Sequence, residues 1–288
     1  MSTKEHSRFY VEYLKNKYSV GDSNKYFKEF EKLNTTTDSI YNLDDLNVLI
    51  ILKDGTNLTH WNRVKNKDDV IYVSENLSSH DDLSRKYSSF KSLKAIVTAN
   101  VTGKVTNMEG MFHSCESLKA IHGLDKWDVS GVKSMRAMFF GCKSLEDFSG
   151  LKNWDVGCVN KMEIMFNSCR SLSDISFLRN WNVSNVCDMN HMFFACWSLK
   201  DLSALKNWDV TGVKNSRWMF CGCRSLVDLK GLENWNLDSY DNDYGMFVGC
   251  WSLKDASAID NWIVSNYARY GLLYDCPNLK KFPKWFNR

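Results

Sequence analysis

From about residue 87 onward, apolar side chains occupy fixed columns and polar ones fill the positions between them. Met-Phe pairs stand at Met111-Phe112, Met138-Phe139, Met165-Phe166, Met192-Phe193, Met219-Phe220 and Met246-Phe247, a constant step of 27 residues. Cys115, Cys142, Cys169, Cys196, Cys223 and Cys250 keep the same step, as do Trp127, Trp154, Trp181, Trp208, Trp235 and Trp262. A period of this length identifies a repeat array before any propensity is consulted. Within one coil Val132, Met135 and Phe139 fall at i, i+3 and i+7, which predicts a short helix. Ser130 or Thr211 would cap its start, and Gly141, Gly222 or Gly249 its end. The stretch Leu145 to Ser149 reads as a strand, and Asn153-Trp154-Asp155 as the turn back. No coil can bury its Met, Phe, Cys, Leu and Trp side chains alone, so neighbours must stack and bring their strands into one parallel sheet. The expected fold is an α/β solenoid of short helix plus short parallel strand per coil.

The ends depart from this pattern. Phe9, Tyr10, Tyr13 and Leu14, then Tyr26, Phe27, Phe30 and Leu33, have helical spacing on either side of Gly21-Asp22-Ser23. Leu46 to Leu52 and Val70-Ile71-Tyr72-Val73 read as strands. Residues 1–86 are therefore expected to form a mixed α+β N-terminal cap, helical first and then stranded. Tyr87 takes the Phe column and Phe90 the Cys column, so the array begins there and runs to residue 275. A C-terminal cap over 276–288 follows, with Trp285 standing where a Leu would be. Pro277, Pro283 and the charges Lys280, Lys281, Lys284 and Arg288 suit an edge that refuses another strand.

Composition narrows the function. A hydrophobic fraction of 44% and an aromatic fraction of 14% are ample for a packed core. Net charge is +3 with both signs interspersed, which gives no electrostatic footprint for duplex nucleic acid. The longest aliphatic run, Val48 to Leu52, is too short for membrane insertion. Met1 to Arg8 is charged with no apolar stretch of signal-peptide length behind it, so the chain reads as cytoplasmic. The Cys column, joined by Cys276 one residue early, is read as buried free thiols packing as small hydrophobes. The Ser and Asn columns are expected to satisfy backbone groups where the chain turns.

The run Met138-Phe139, Cys142, Ser144-Leu145 and Asn153-Trp154-Asp155-Val156, preceded by Val132 and Met135, resembles the BspA-like leucine-rich repeat family over about residues 87 to 279. The resemblance implies a leucine-rich-repeat-like, right-handed solenoid and a role in adhesion or protein binding. That family is known mainly from bacterial surface proteins and also from large DNA viruses of amoebae, so a virion location follows if the chain is virus-encoded. It brings no catalytic residues with it.

Little in the sequence suggests catalysis. His113 with His122, Cys187 with His191, and Cys221-Gly222-Cys223 lack a second half at zinc-site spacing, so neither a metal nor a cofactor is expected. Two columns are candidates for recognition. Asp147, Asp174, Asp201, Asp228 and Asp255 would form an acidic ladder suited to something cationic, or would bond backbone at the coil corner. The position after Cys holds Arg170, Trp197, Arg224 and Trp251, and its chemical variety implies solvent exposure. Stacking would turn it into an alternating cation and aromatic strip. The expected function is a non-enzymatic protein-interaction solenoid whose partner is another protein. The alternatives are a structural part of a larger assembly such as a viral particle, a surface adhesin, and, least favoured, a metalloprotein or enzyme.

Overall fold

A computed structural model describes residues 48–99, 101–235, 244–264, 269 and 271–286. The helices expected between Phe9 and Leu33 lie outside the described residues. The strands expected before the array are present: β1 is Val48–Leu52, β2 Asn57–Leu58 and β3 Val70–Asn76. They join β4 (Ala95–Ala99) and β5 (Ala120–His122) in one sheet of order β2-β1-β3-β4-β5. The pairs β1·β2 and β1·β3 are antiparallel, whereas β3·β4 and β4·β5 are parallel. The sheet therefore passes from the cap into the first coils without a break.

Beyond β5 the coils take a form that neither a helix nor a strand describes. Buried residues recur every third position: Val129, Val132, Met135 and Met138, then Phe139, Cys142, Leu145, Phe148, Leu151 and Trp154. Most are tied head to tail through the backbone. The N–H of Val132 donates to Val129, Met138 to Met135, Cys142 to Phe139, Leu145 to Cys142, Leu151 to Phe148 and Trp154 to Leu151. A hydrogen bond to the third residue back matches a three-residue apolar period, because it returns each such side chain to the same face.

The helix expected over Val132 to Phe139 is thus corrected to a train of turns. An α-helix keeps its N–H groups bonding four residues back. Here alternate groups leave the coil: Met135 donates to Lys161, Ala137 to Glu163, Phe139 to Met165 and Gly141 to Asn167. Positive φ recurs twice per coil, at Ala137, Ile164, His191 and Trp218 and at Gly141, Ser168, Ala195 and Gly222. A left-handed residue interrupts a right-handed helix, and the third position of a type II turn requires one. Gly141 and Gly222 hold such a turn position instead of ending a helix. Ser130 and Thr211, expected as helix caps, accordingly bond Asp128 and Asp209 in Asx turns.

The expected strand column survives only at the start of the array. After β4 and β5, the residues from Leu145 to Phe148 carry no strand, and Ser149–Leu151, Ser176–Leu178, Ser203–Leu205 and Ser257–Ile259 are short 3-10 turns. Single parallel bridges return late, linking Asp228 to Asp255 and Asp255 to Lys281. A second line of bridges, Asp82, Asn107, Ser134, Lys161, Asp188 and Asn215, runs where the helix was expected.

Side-chain ladders bind coil to coil. The rings of Phe112, Phe139, Phe166, Phe193, Phe220 and Phe247 stack in sequence with centroids 5.5–5.7 Å apart. Trp154 and Trp181 stack at 6.4 Å, and each indole N–H donates to a carbonyl of the coil before, as Trp181 does to Leu151 at 3.1 Å. The thiols do the same: Cys142 donates to Phe112 at 3.2 Å and Cys169 to Phe139 at 3.1 Å. At the C-terminal edge Trp285 donates to Ile259 at 2.8 Å. The bridge from Asp255 to Lys281 sets the last coil one residue short, so Trp285 stands in the Leu column opposite Ile259, and its indole makes the bond that the Trp column makes elsewhere. At the opposite end the ladder begins on Tyr87, stacked 5.6 Å from Phe112. Its hydroxyl donates to buried Glu75 at 2.7 Å, and Lys86 and the Trp61 indole complete the bonding of that carboxylate. Such pairing removes most of the cost of a buried charge.

Candidate functional site

The position after Cys is fixed from both sides. The buried Cys anchors it from within, while the next coil bonds its carbonyl. Ser144 Oγ donates to Glu116 and Ser171 Oγ to Lys143; the Ser225 and Ser252 N–H groups reach Trp197 and Arg224, and Asn278 Nδ2 reaches Trp251. This is the work of the Ser column. The asparagines preceding Trp, expected to share it, stand exposed at Asn153, Asn180, Asn207, Asn234 and Asn261.

Held in this way, four side chains of the column form one continuous stack. The Arg170 guanidinium lies 3.9 Å from the Trp197 ring centroid, and that of Arg224, from the coil on the other side, lies 4.4 Å from the same centroid. Arg224 also lies 4.3 Å from the Trp251 centroid. Arg170 and Arg224 are exposed, Trp197 is half-buried, and Trp251 is 44% exposed with its indole N–H donating to Asp275. Among the described residues neither guanidinium has a carboxylate within ion-pair distance. The preceding pair in the column differs: Lys143 and Glu116 meet at 2.7 Å, and that hydrogen bond holds the Glu116 carboxyl below its usual range.

The Asp column forms a second line whose carboxylates are engaged locally. Asp147, Asp174, Asp201 and Asp255 accept the N–H of Ser149, Ser176, Ser203 and Ser257, and Asp228 accepts that of Lys230. Asp255 is also paired with Lys281 at 2.8 Å, and the bonds from Lys281 and Ser257 lower its carboxyl to about 2.

One further group escaped the sequence pattern. His191, Phe194, Trp218 and Tyr244 cluster, with Trp218 and Tyr244 ring centroids 5.6 Å apart and His191 5.3 Å from Phe194. They come from three variable columns flanking the Met-Phe pair. Only the coil path shows that those columns meet. Burial lowers the pKa of His191 and of His113, which favours neutral imidazoles near pH 7. Among the described residues, no group of three or more His, Cys, Asp and Glu side chains is arranged to hold a metal ion.

A family model described as "Mycoplasma protein of unknown function, DUF285" matches residues 81–200 and, in a second overlapping match, 166–281. The chain belongs to that family. The second match covers all four strip residues and the first only Arg170 and Trp197, and neither reaches β1, β2 or β3 of this DUF285 chain. A comparison with curated proteins finds no match. Among solved structures, the chain is similar to a leucine-rich repeat protein of T. pallidum, at 22% identity over 65% of this chain and 73% of that one, with a TM-score of 0.39. It is similar to a leucine-rich repeat protein from Bacteroides ovatus, at 18% identity over 80% and 60% of the two chains, TM-score 0.32. A leucine rich cell surface protein from Faecalibacterium prausnitzii shows 14% identity over 74% and 78%, TM-score 0.22.

Proposed function

We propose that the chain is a non-enzymatic interaction solenoid of the BspA-like type, which binds another protein through the strip Arg170, Trp197, Arg224 and Trp251. The observation that carries this reading is the alternating stack itself, a preorganised and exposed row of the two residue types enriched at binding hot spots. Because the stack is already assembled, a partner meets side chains whose ordering cost is largely met in the free protein. The Asp column is the weaker candidate, since its carboxylates are committed to Asx turns and to Lys230 or Lys281. Two further readings accompany this one. All ten cysteines are free, which suits a reducing cytoplasm. Among the described residues no helix is long and apolar enough to cross a membrane, in keeping with a partner that is neither a bilayer nor, given the mixed charges, duplex nucleic acid.

The test is the double variant Trp197→Ala with Trp251→Ala, used as bait beside the native chain. The expected outcome is loss of the specifically retained native partner with an unchanged far-ultraviolet spectrum and a melting temperature within a few degrees. Equal recovery of that partner by both baits would move the binding face elsewhere.

A further inference from the structure

The way the strip is packed bears on what it binds. Both faces of the Trp197 ring are covered, by Arg170 on one side and Arg224 on the other. Arg224 lies in turn between Trp197 and Trp251. A nucleobase or an aromatic side chain needs a bare ring face on which to stack, and Trp197 offers none. Around Trp197 the stack leaves available the rims of the Arg170 and Arg224 guanidinium groups. Stacking engages the plane of the group, while its N–H donors point outward in the fork that matches a carboxylate. No carboxylate among the described residues uses those forks, although Glu116 in the same column has its own lysine.

Resting on the proposed interaction function, we infer that the strip's partner is an extended acidic peptide segment, with carboxylates two residues apart seated on Arg170 and Arg224. Side chains two apart on an extended chain share a face and are separated by about 7 Å, a span comparable to that across one indole with a guanidinium on each side. Lys200 and Lys254, exposed three residues beyond Trp197 and Trp251, add positive charge along the same coils. The Asp column lies one residue past Lys200 and Lys254, so a long polyanion laid across the coils meets its charges as well. A short acidic segment running along the strip avoids them, and this favours a peptide over a nucleic acid strand.

The test is a titration of the full chain with fluorescently labelled peptides alternating Glu with Thr, the same peptide alternating Gln with Thr, and a single-stranded oligothymidine. The Glu-Thr peptide is expected to bind saturably and more weakly as salt rises, and the Gln-Thr peptide not to bind. Arg224→Gln and Arg170→Gln should each weaken the Glu-Thr peptide about tenfold or more, the effect of losing a charge-assisted bidentate contact. Arg224→Lys should weaken it as well, since a lysine keeps the charge but neither stacks nor forks. Lys206→Gln, an equal charge change at an exposed site in another column, should leave binding within twofold. Equal binding of the Gln-Thr peptide, tighter binding of oligothymidine, or equal losses from Lys206→Gln and Arg224→Gln would each overturn the inference. Failure here together with loss of native-partner capture by the tryptophan double variant would reject the acidic peptide while leaving the strip as the binding face.

Discussion

At the scale of single residues, the invariant columns are those whose side chains do two things at once. Cys142 and Cys169 fill core space like small apolar groups and also donate their thiols to carbonyls of the preceding coil. Trp154 and Trp181 pair a stacked ring with an indole N–H committed to the coil before, and Ser144 and Ser171 bond the carbonyl of the position after Cys. Phe166 sits at full burial between Phe139 and Phe193, so Phe166→Ala should destabilise the chain by about 3–5 kcal/mol. Urea unfolding measures this, and a loss below about 1 kcal/mol would contradict the packing. The thiols predict an alkaline limit. Burial pushes Cys115 up to about 12 and Cys221 and Cys276 to about 11, and it raises Cys142, Cys196, Cys223 and Cys250 as well. Unfolded thiols ionise above about pH 8.5 while these stay protonated. Stability should therefore be full below that pH and fall as pH rises toward the folded values, by about 1.4 kcal/mol per unit for each such thiol. Comparing urea midpoints near pH 7.5 and pH 10 for the native chain and Cys115→Ala tests it: the variant should lose less, and equal losses would contradict it.

At the scale of elements, the columns were legible but the backbone that carries them was not. Val132, Met135 and Phe139 satisfy a helical period, yet Val129, Val132, Met135 and Met138 satisfy a period of three equally well. Three to four residues of spacing cannot separate a 3.6-residue helix from turns closed to the third residue back. The deciding feature is the hydrogen bonding between coils, as from Phe139 to Met165, which leaves no mark on the sequence of one coil. A glycine at 141 and 222 did signal positive φ, whereas Ala137, Ile164, His191 and Trp218 conceal theirs. The strand signal held at Val48–Leu52 and Val70–Asn76, where β-branched runs pair within a continuous sheet. It failed at Leu145 to Phe148, where only the residue spacing and not a strand ladder is kept. The strip lies between these cases. Its exposure and alternation follow from Arg170, Trp197, Arg224 and Trp251 in sequence order, while the capping of both Trp197 faces required the geometry.

At the scale of the whole molecule, each described coil buries its apolar residues against its neighbours, so exposed variation is confined to a few columns running along the array. A protein of this build presents lines of side chains along the array. Among those lines, the one after Cys combines exposure, preassembly and guanidinium rims that no carboxylate among the described residues pairs, and the proposed function rests on its being the face that meets the partner. The most direct measurement is site-specific photo-crosslinking with the full chain. A photoreactive phenylalanine analogue would replace Trp197 in one protein, and in two others the exposed Asn180 or Asn207 of the column before Trp. The account predicts that the native partner is crosslinked from position 197 and not from 180 or 207, and equal or stronger crosslinking from the asparagine column would contradict it.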